Sequence, residues 1–166
     1  MKKLIIVSGT MGVGKTTSCN IVLKNLEKSV YLDGDWCWNM NPFIVNEENK
    51  NMVINNITYL LRSYLKNSNF EYVIFSWVLH EQSIFKQILD PLIDLDFTLY
   101  NISLICNQNA LKERLSKDVE FGIRNKEIID RSIERIPLYN KLDTIKIDTT
   151  FLNADQTAQE IISLII

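Results

Sequence analysis

Residues 9 to 16, Gly9-Thr10-Met11-Gly12-Val13-Gly14-Lys15-Thr16, follow the pattern GxxxxGK[ST] in full. Each residue type in it has a job around a phosphate chain. Glycine lets the backbone take angles that a β-carbon forbids, and lets N–H groups close on phosphate oxygens. A helix starting beneath such a loop adds partial positive charge under the anion. Lys15 is then placed to reach the β- and γ-phosphates, and the Thr16 hydroxyl to hold Mg²⁺. With Thr17 behind it, the segment predicts a site for ATP and its magnesium ion.

Further along lie residues that could act on whatever meets the phosphates. Asp33 and Asp35 flank Gly34. Two apart in an extended segment, they would point to the same side, and a carboxylate there could take a proton from a hydroxyl. An Asp-Gly-Asp turn is the alternative, since both residue types favour turns. Trp36 and Trp38 follow directly; they either stack on a flat or ring-shaped substrate or pack as ordinary large apolar side chains. Ser76-Trp77-Val78-Leu79-His80 holds the third tryptophan and the lone histidine, which has no partner spacing that would make a site and reads as surface or structural. Arg114 and Arg124 offer guanidinium groups suited to bidentate phosphate contact. Arg131 and Arg135 are four apart on one helix face.

Alternating strands and helices must position these groups, the pattern of a parallel sheet with covering helices. Strands are predicted over Lys3–Ser8, Val30–Asp33, Tyr72–Ser76, Phe97–Cys106 and Thr144–Asp148. Helices are predicted from Lys15 to Glu27, Glu47 to Asn67, Glu81 to Leu89, Asn109 to Phe121, Lys126 to Leu142 and Ala154 to Ile166. The second carries an apolar stripe of Val53, Ile57, Leu60, Leu61 and Tyr64. Pro137 should kink or split the fifth. The phosphate loop thus lies between a buried strand and an amphipathic helix, the context the motif demands.

Several phosphate-loop classes fail on their other signatures. No Asp has a Gly three residues on, as a GTPase requires, and Asn140-Lys141-Leu142-Asp143 matches NKxD only at a helix end, ahead of a strand. A motor or AAA-type ATPase should carry an acid at the end of a core strand, where Val73-Ile74-Phe75-Ser76 has none. What remains resembles the small phosphate-loop kinases, the group that contains shikimate, gluconate and nucleotide kinases. The resemblance rests on the phosphate loop, on Leu32-Asp33-Gly34-Asp35 after strand two, and on Arg114 in Lys112-Glu113-Arg114-Leu115 followed by Arg124. The order of elements matches along nearly the whole chain.

The resemblance implies an α/β three-layer sandwich with a five-stranded parallel sheet of order 2-3-1-4-5, the P-loop nucleoside triphosphate hydrolase fold. It implies a single domain over residues 1–166, with acceptor-side helices at about 36–67 and a short lid at about 116–126. The activity implied is transfer of the γ-phosphoryl group of ATP to a hydroxyl of a small molecule. Lys15, Asp35 and Arg124 would be catalytic. Gly9 to Thr17 and Arg114 would hold the nucleotide; Thr16 and Asp33 would serve Mg²⁺; Asp33, Asp35, Trp36, Trp38 and Ser76 would meet the acceptor. Whether Asp33 or Asp35 is the base stays open. A nucleoside or nucleotide kinase is one alternative, although Arg62 alone represents arginine in the acceptor-side region. A non-catalytic ATP-binding module or slow ATPase is another.

Composition is consistent with this. A net charge of −2 argues against nucleic acid or an anionic membrane as main partner. The chain of 166 residues, 46% apolar, is ample for one core. Leu4-Ile5-Ile6-Val7 after Met1-Lys2-Lys3 is too short for a secretory segment. Cys19, Cys37 and Cys106 lack metal or disulfide spacing, as expected of a cytoplasmic protein.

Overall fold

The computed structural model describes residues 1–166. Five strands, β1 (Lys2–Ser8), β2 (Ser29–Asp33), β3 (Tyr72–Trp77), β4 (Phe97–Ile105) and β5 (Ile145–Asp148), form one sheet of order β2-β3-β1-β4-β5. Every pairing is parallel. Six α-helices cover it: α1 (Lys15–Asn25), α2 (Glu47–Lys66), α3 (Gln82–Leu89), α4 (Gln108–Glu120), α5 (Ile128–Asn140) and α6 (Ala154–Ile165). The class, strand number and order are those the resemblance implies.

A parallel sheet buried on both faces needs strands apolar on both sides, which is why β1 reads as a continuous apolar run. Alternation then divides its side chains. Leu4 and Ile6 join Leu32, Val73 and Phe75 in a core shared with α2 and α3. Ile5 and Val7 join Ile74, Ile102 and Leu104 in a core under α1, α4 and α6. Helix α2 buries Val53, Ile57, Leu61 and Leu65, one residue per turn. It starts where the Asn46 side chain accepts the Asn49 N–H at 2.8 Å, with Glu47 and Glu48 in the first turn to complement the dipole.

Two local expectations need correction. Asp33 and Asp35 do not share an extended segment. The chain turns at Gly34 into a 3₁₀ helix, Gly34–Trp38, capped by Asp33, whose Oδ1 accepts the Asp35 N–H at 3.0 Å. Helix α5 runs through Pro137 without splitting. Proline removes one N–H there, and the next turn is anchored by Tyr139, fully buried, whose hydroxyl donates to the Val78 carbonyl at 2.6 Å. Asn140 to Asp143 leave α5 ahead of β5, with Leu142 buried in the α2–α3 core.

Candidate active site

Parallel strands bring their C-terminal ends to one edge, and the loops there form the site. The phosphate loop leaves β1 in the centre. Gly14, the N-cap of α1, sits at φ +105°, where a side chain would be strained. The first helical hydrogen bond runs from the Ser18 N–H to the Gly14 carbonyl at 3.0 Å, so the preceding N–H groups of Lys15, Thr16 and Thr17 are free to meet an anion. Thr10 is buried, and its hydroxyl donates to the Ser132 carbonyl at 2.8 Å, fastening the loop to α5. Lys15 Nζ donates to the carbonyls of Gly9 (2.7 Å) and Thr10 (3.1 Å). Burial lowers its pKa to about 8, against the pull of Asp35 and Asp33. A lysine destabilised as a cation and resting only on carbonyls is suited to a phosphate.

Asp33 closes the end of β2 and is a hub. Its Oδ2 accepts the Thr16 hydroxyl at 2.8 Å and the Tyr31 hydroxyl at 3.1 Å. Tyr31 also pairs with Ser76 Oγ at 2.7 Å, because β2 and β3 place Asp33 opposite Ser76. Burial pushes the phenol far up, so it remains a neutral donor. Ser76 differs from its expected role. It is fully buried and its hydroxyl is engaged with Tyr31, so it supports Asp33 and does not face a substrate. Thr16 and Asp33 together present the hard oxygen atoms that Mg²⁺ prefers. No group of three or more His, Cys, Asp or Glu side chains is gathered anywhere, so further ligands would have to be phosphates and water, as is usual for this ion.

Asp35 is solvent-accessible, yet its surroundings displace enough water to raise its pKa above the ordinary 3.8; Asp33 raises it further, and Lys15, Trp77 and Arg124 oppose. Arg124, in the connection between α4 and α5, is held by Asp118, with Nε to Oδ2 at 3.1 Å. Arg114 does something else than reach outward. Its guanidinium donates to the Val13 carbonyl (3.4 Å), the Thr149 hydroxyl (3.1 Å) and the Thr149 carbonyl (2.5 Å). It braces the phosphate loop against the segment after β5.

Beyond Asp35 opens a cavity of about 1090 Å³, lined by Met11, Trp36, Trp38, Phe43, Lys50, Ile54, Trp77, His80, Glu81 and Arg135 among others. Trp77 passes directly over Gly34: a β-carbon there would lie 2.5 Å from the indole Cγ. Trp38 and Phe43 pack with ring centroids 5.7 Å apart. His80 follows Leu79, a buried leucine at φ +36°, a strained backbone of the kind that collects at functional sites. Burial and Arg135 lower the His80 pKa, and its Nδ1 is buried without a partner.

The structure thus gathers Lys15, Thr16, Asp33, Asp35 and Arg124 at one edge, with Trp36 and Trp38 beyond them. Tyr31 and Thr149 complete the network around Asp33 and Arg114. Tyr31 was findable, two residues before Asp33 on the same side of a strand; Thr149 gave no signal.

Residues 5–134 match a protein-family model described as an AAA domain. This match corrects the expectation that the chain falls outside the AAA-type class, which rests on the missing acid at the end of β3, where Ser76 stands. None of the curated proteins matches the chain in sequence. Among solved structures, the tunicamycin resistance protein of Deinococcus radiodurans superposes with TM-score 0.70 at 18% identity, over 99% of this chain and 96% of that one. A gluconokinase from Sinorhizobium meliloti gives 0.70 at 15%, over 97% and 90%. Shikimate kinase from Acinetobacter baumannii, in complex with shikimate, gives 0.64 at 19%, over 99% and 93%. At such identities the likeness is one of fold, and the fold is that of the small phosphate-loop kinases.

Proposed function

The chain belongs to the AAA-domain family, and we propose that it is an ATP-dependent phosphotransferase that moves the γ-phosphoryl group to a hydroxyl of a small molecule. The carrying observation is the position of Asp35. Its N–H is held by Asp33, which also accepts the Thr16 hydroxyl of the phosphate loop, and its side chain lines the large cavity. A nucleotide held at residues 9–17 and an acceptor held in the cavity would meet at it.

Phosphoryl transfer needs positioning and charge neutralisation more than covalent chemistry. Lys15 would exchange the Gly9 and Thr10 carbonyls for phosphate oxygens, and the free N–H groups at the start of α1 would take others. Mg²⁺, when bound, would neutralise charge on those oxygens. Asp33 would set the direction of the Thr16 hydroxyl that faces the ion. Asp35 would accept the acceptor's proton, and its raised pKa suits a base better than an ordinary carboxylate's. Arg124 would steady the charge of the moving group.

We assign all 166 residues to one domain, with residues 36–67 on the acceptor side and residues 116–126, around Arg124, as a short lid. Arg114 would act on the nucleotide through Val13. A nucleotide acceptor is less well served. Lys50 is paired with Glu47 at 2.8 Å and Arg62 with Asp94, which leaves Arg135 as the single arginine on the cavity wall, short of a set for an acceptor phosphate. No helix is long and apolar enough to cross a membrane, and three unpaired cysteines fit a cytoplasmic setting.

The test is ADP release from Mg²⁺-ATP across a panel of hydroxyl compounds, with Lys15→Ala as blank. Acceptor-dependent release that vanishes in the variant supports the kinase. ATP binding without any acceptor-dependent release would favour a binding module, and failure to bind ATP would sink the proposal.

A further inference from the structure

The acceptor cavity has features that narrow what it can hold. Its volume, about 1090 Å³, stands at the upper end of the range for small-molecule pockets. A small polyhydroxy acid would leave most of it wet. Its walls near Asp35 are aromatic. Trp36 remains 57% exposed and Phe43 66% exposed at the mouth, so neither ring is consumed by the core. Trp36 touches Tyr31 only edge-on, at 5.5 Å and 67°, which leaves ring face for another partner. Trp77 is fixed against Gly34 and lines the same cavity.

Charge points the same way. The ionised side chains on the wall are three carboxylates, Asp35, Glu47 and Glu81, against two cations, Lys50 and Arg135. Lys50 and Glu47 pair with each other, which leaves Asp35 and Glu81 against Arg135. His80 has its pKa lowered, so it adds no cation at neutral pH. An anionic acceptor would enter against that balance. On the wall, His80 offers an imidazole whose Nε2 lies 3.4 Å from Glu81 Oε1, while its unpartnered Nδ1 is buried away from the cavity. It is held in place by the strained turn at Leu79 and by the Tyr139 hydroxyl on Val78.

We infer that the acceptor is an uncharged, flat-ring alcohol of nucleoside size or larger, held against the aromatic wall of Trp36 and Trp77 with its hydroxyl at Asp35 and a distal polar atom at His80. Flat rings find large aromatic faces there, the hydroxyl finds the base, and no buried charge has to be neutralised. This rests on the kinase reading for the role of Asp35. The ring-binding cavity itself does not.

Calorimetric titration separates the two, because it reads binding without turnover. The protein is first saturated with Mg²⁺-ADP so that the phosphate loop is filled. Thymidine represents a nucleoside, 1-(4-acetamidophenyl)propane-1,3-diol an aryl alcohol of similar size with a distal polar atom but no base, and gluconate and shikimate the small hydroxy acids. One or both ring alcohols should bind, and at least tenfold more tightly than either acid; which of the two binds identifies the source of the ring. Trp36→Ala should weaken ring binding about tenfold and Trp36→Phe should restore most of it, with unchanged melting temperatures as the check on folding. His80→Phe should weaken only ligands that carry a distal polar atom. Tighter binding of gluconate or shikimate, no binding of either ring alcohol, or an unchanged affinity in Trp36→Ala each overturns the inference. Ring binding with no acceptor-dependent ADP release keeps the ring site and removes the kinase reading.

Discussion

The Thr16 hydroxyl donates to Asp33 Oδ2 at 2.8 Å, joining the last residue of the phosphate loop to the last residue of β2. The contact crosses two elements that are not sheet neighbours, since β3 lies between β1 and β2. It sets the direction of the hydroxyl assigned to the metal, and it supplies a charge beside it.

Replacing Asp33 with asparagine keeps the shape and removes that charge. The amide can satisfy fewer of the three donors, Thr16, Tyr31 and the Asp35 N–H, that converge on the carboxylate. Hydrogen bonds to a charged acceptor are worth about 1.5–3 kcal/mol. ATP affinity in the presence of Mg²⁺ should fall by about tenfold or more, while affinity in its absence changes little. Paired titrations with and without the ion check this; an equal loss in both would show that Asp33 serves the fold alone.

Asp35→Asn should lower transfer by about 10²–10⁴-fold, the usual contribution of a general base, and leave ATP binding intact. Stability should move the other way. A carboxyl whose folded pKa lies above the ordinary 3.8 favours the protonated form, so its contribution is present at low pH and lost as pH rises through the raised value. The variant, with no charge to desolvate, should therefore melt above the parent at pH 7, and the gap should close as pH falls below about 3.8. Melting curves from pH 3 to pH 7 test the sign.

Gly34→Ala places a methyl group 2.5 Å from Trp77 Cγ. Either the indole or the 3₁₀ helix must shift, at a cost of about 1–3 kcal/mol. The melting temperature should drop, and KM for the acceptor should rise more than KM for ATP. A matching rise in both would mean that the strain spreads to the phosphate loop.

Arg114 binds no solvent-facing group; its donors go to Val13 and Thr149. Arg114→Ala leaves those part-buried oxygens short of partners, at about 1–3 kcal/mol. Stability and ATP affinity should fall together, and lysine, which cannot span both partners with one planar fork, should rescue neither fully. Lost ATP affinity at unchanged stability would instead place Arg114 on the nucleotide.

Periodicity carried most of the architecture. Runs such as Leu4–Val7 and Val73–Phe75, and the i, i+4 stripe of α2, read clearly because burial on one or two faces dictates them. The phosphate loop is legible because its chemistry is local. The support of Asp33 is not, since it depends on Ser76 lying opposite it across β2 and β3, a register no local pattern states. The hydrogen bonds of Ser76 and Arg114 are hidden from the sequence for the same reason: their partners, Tyr31 and Thr149, are distant along the chain. The turn at Gly34 replaced an extended segment because Asp33 caps it with its own side chain.

Helix α5 touches both halves of the site. Its Ser132 carbonyl holds Thr10 in the phosphate loop, its Arg135 lines the cavity, and its Tyr139 hydroxyl holds Val78. A single rod in contact with both pockets gives them a shared element through which they can couple. If filling one pocket tilts the helix, the other feels it, and whatever factor nucleotide adds to acceptor affinity, acceptor must add to nucleotide affinity. The preferred order in which the two ligands load, and the readiness of the empty enzyme to waste ATP on water, would then be set by how stiffly this one helix is packed.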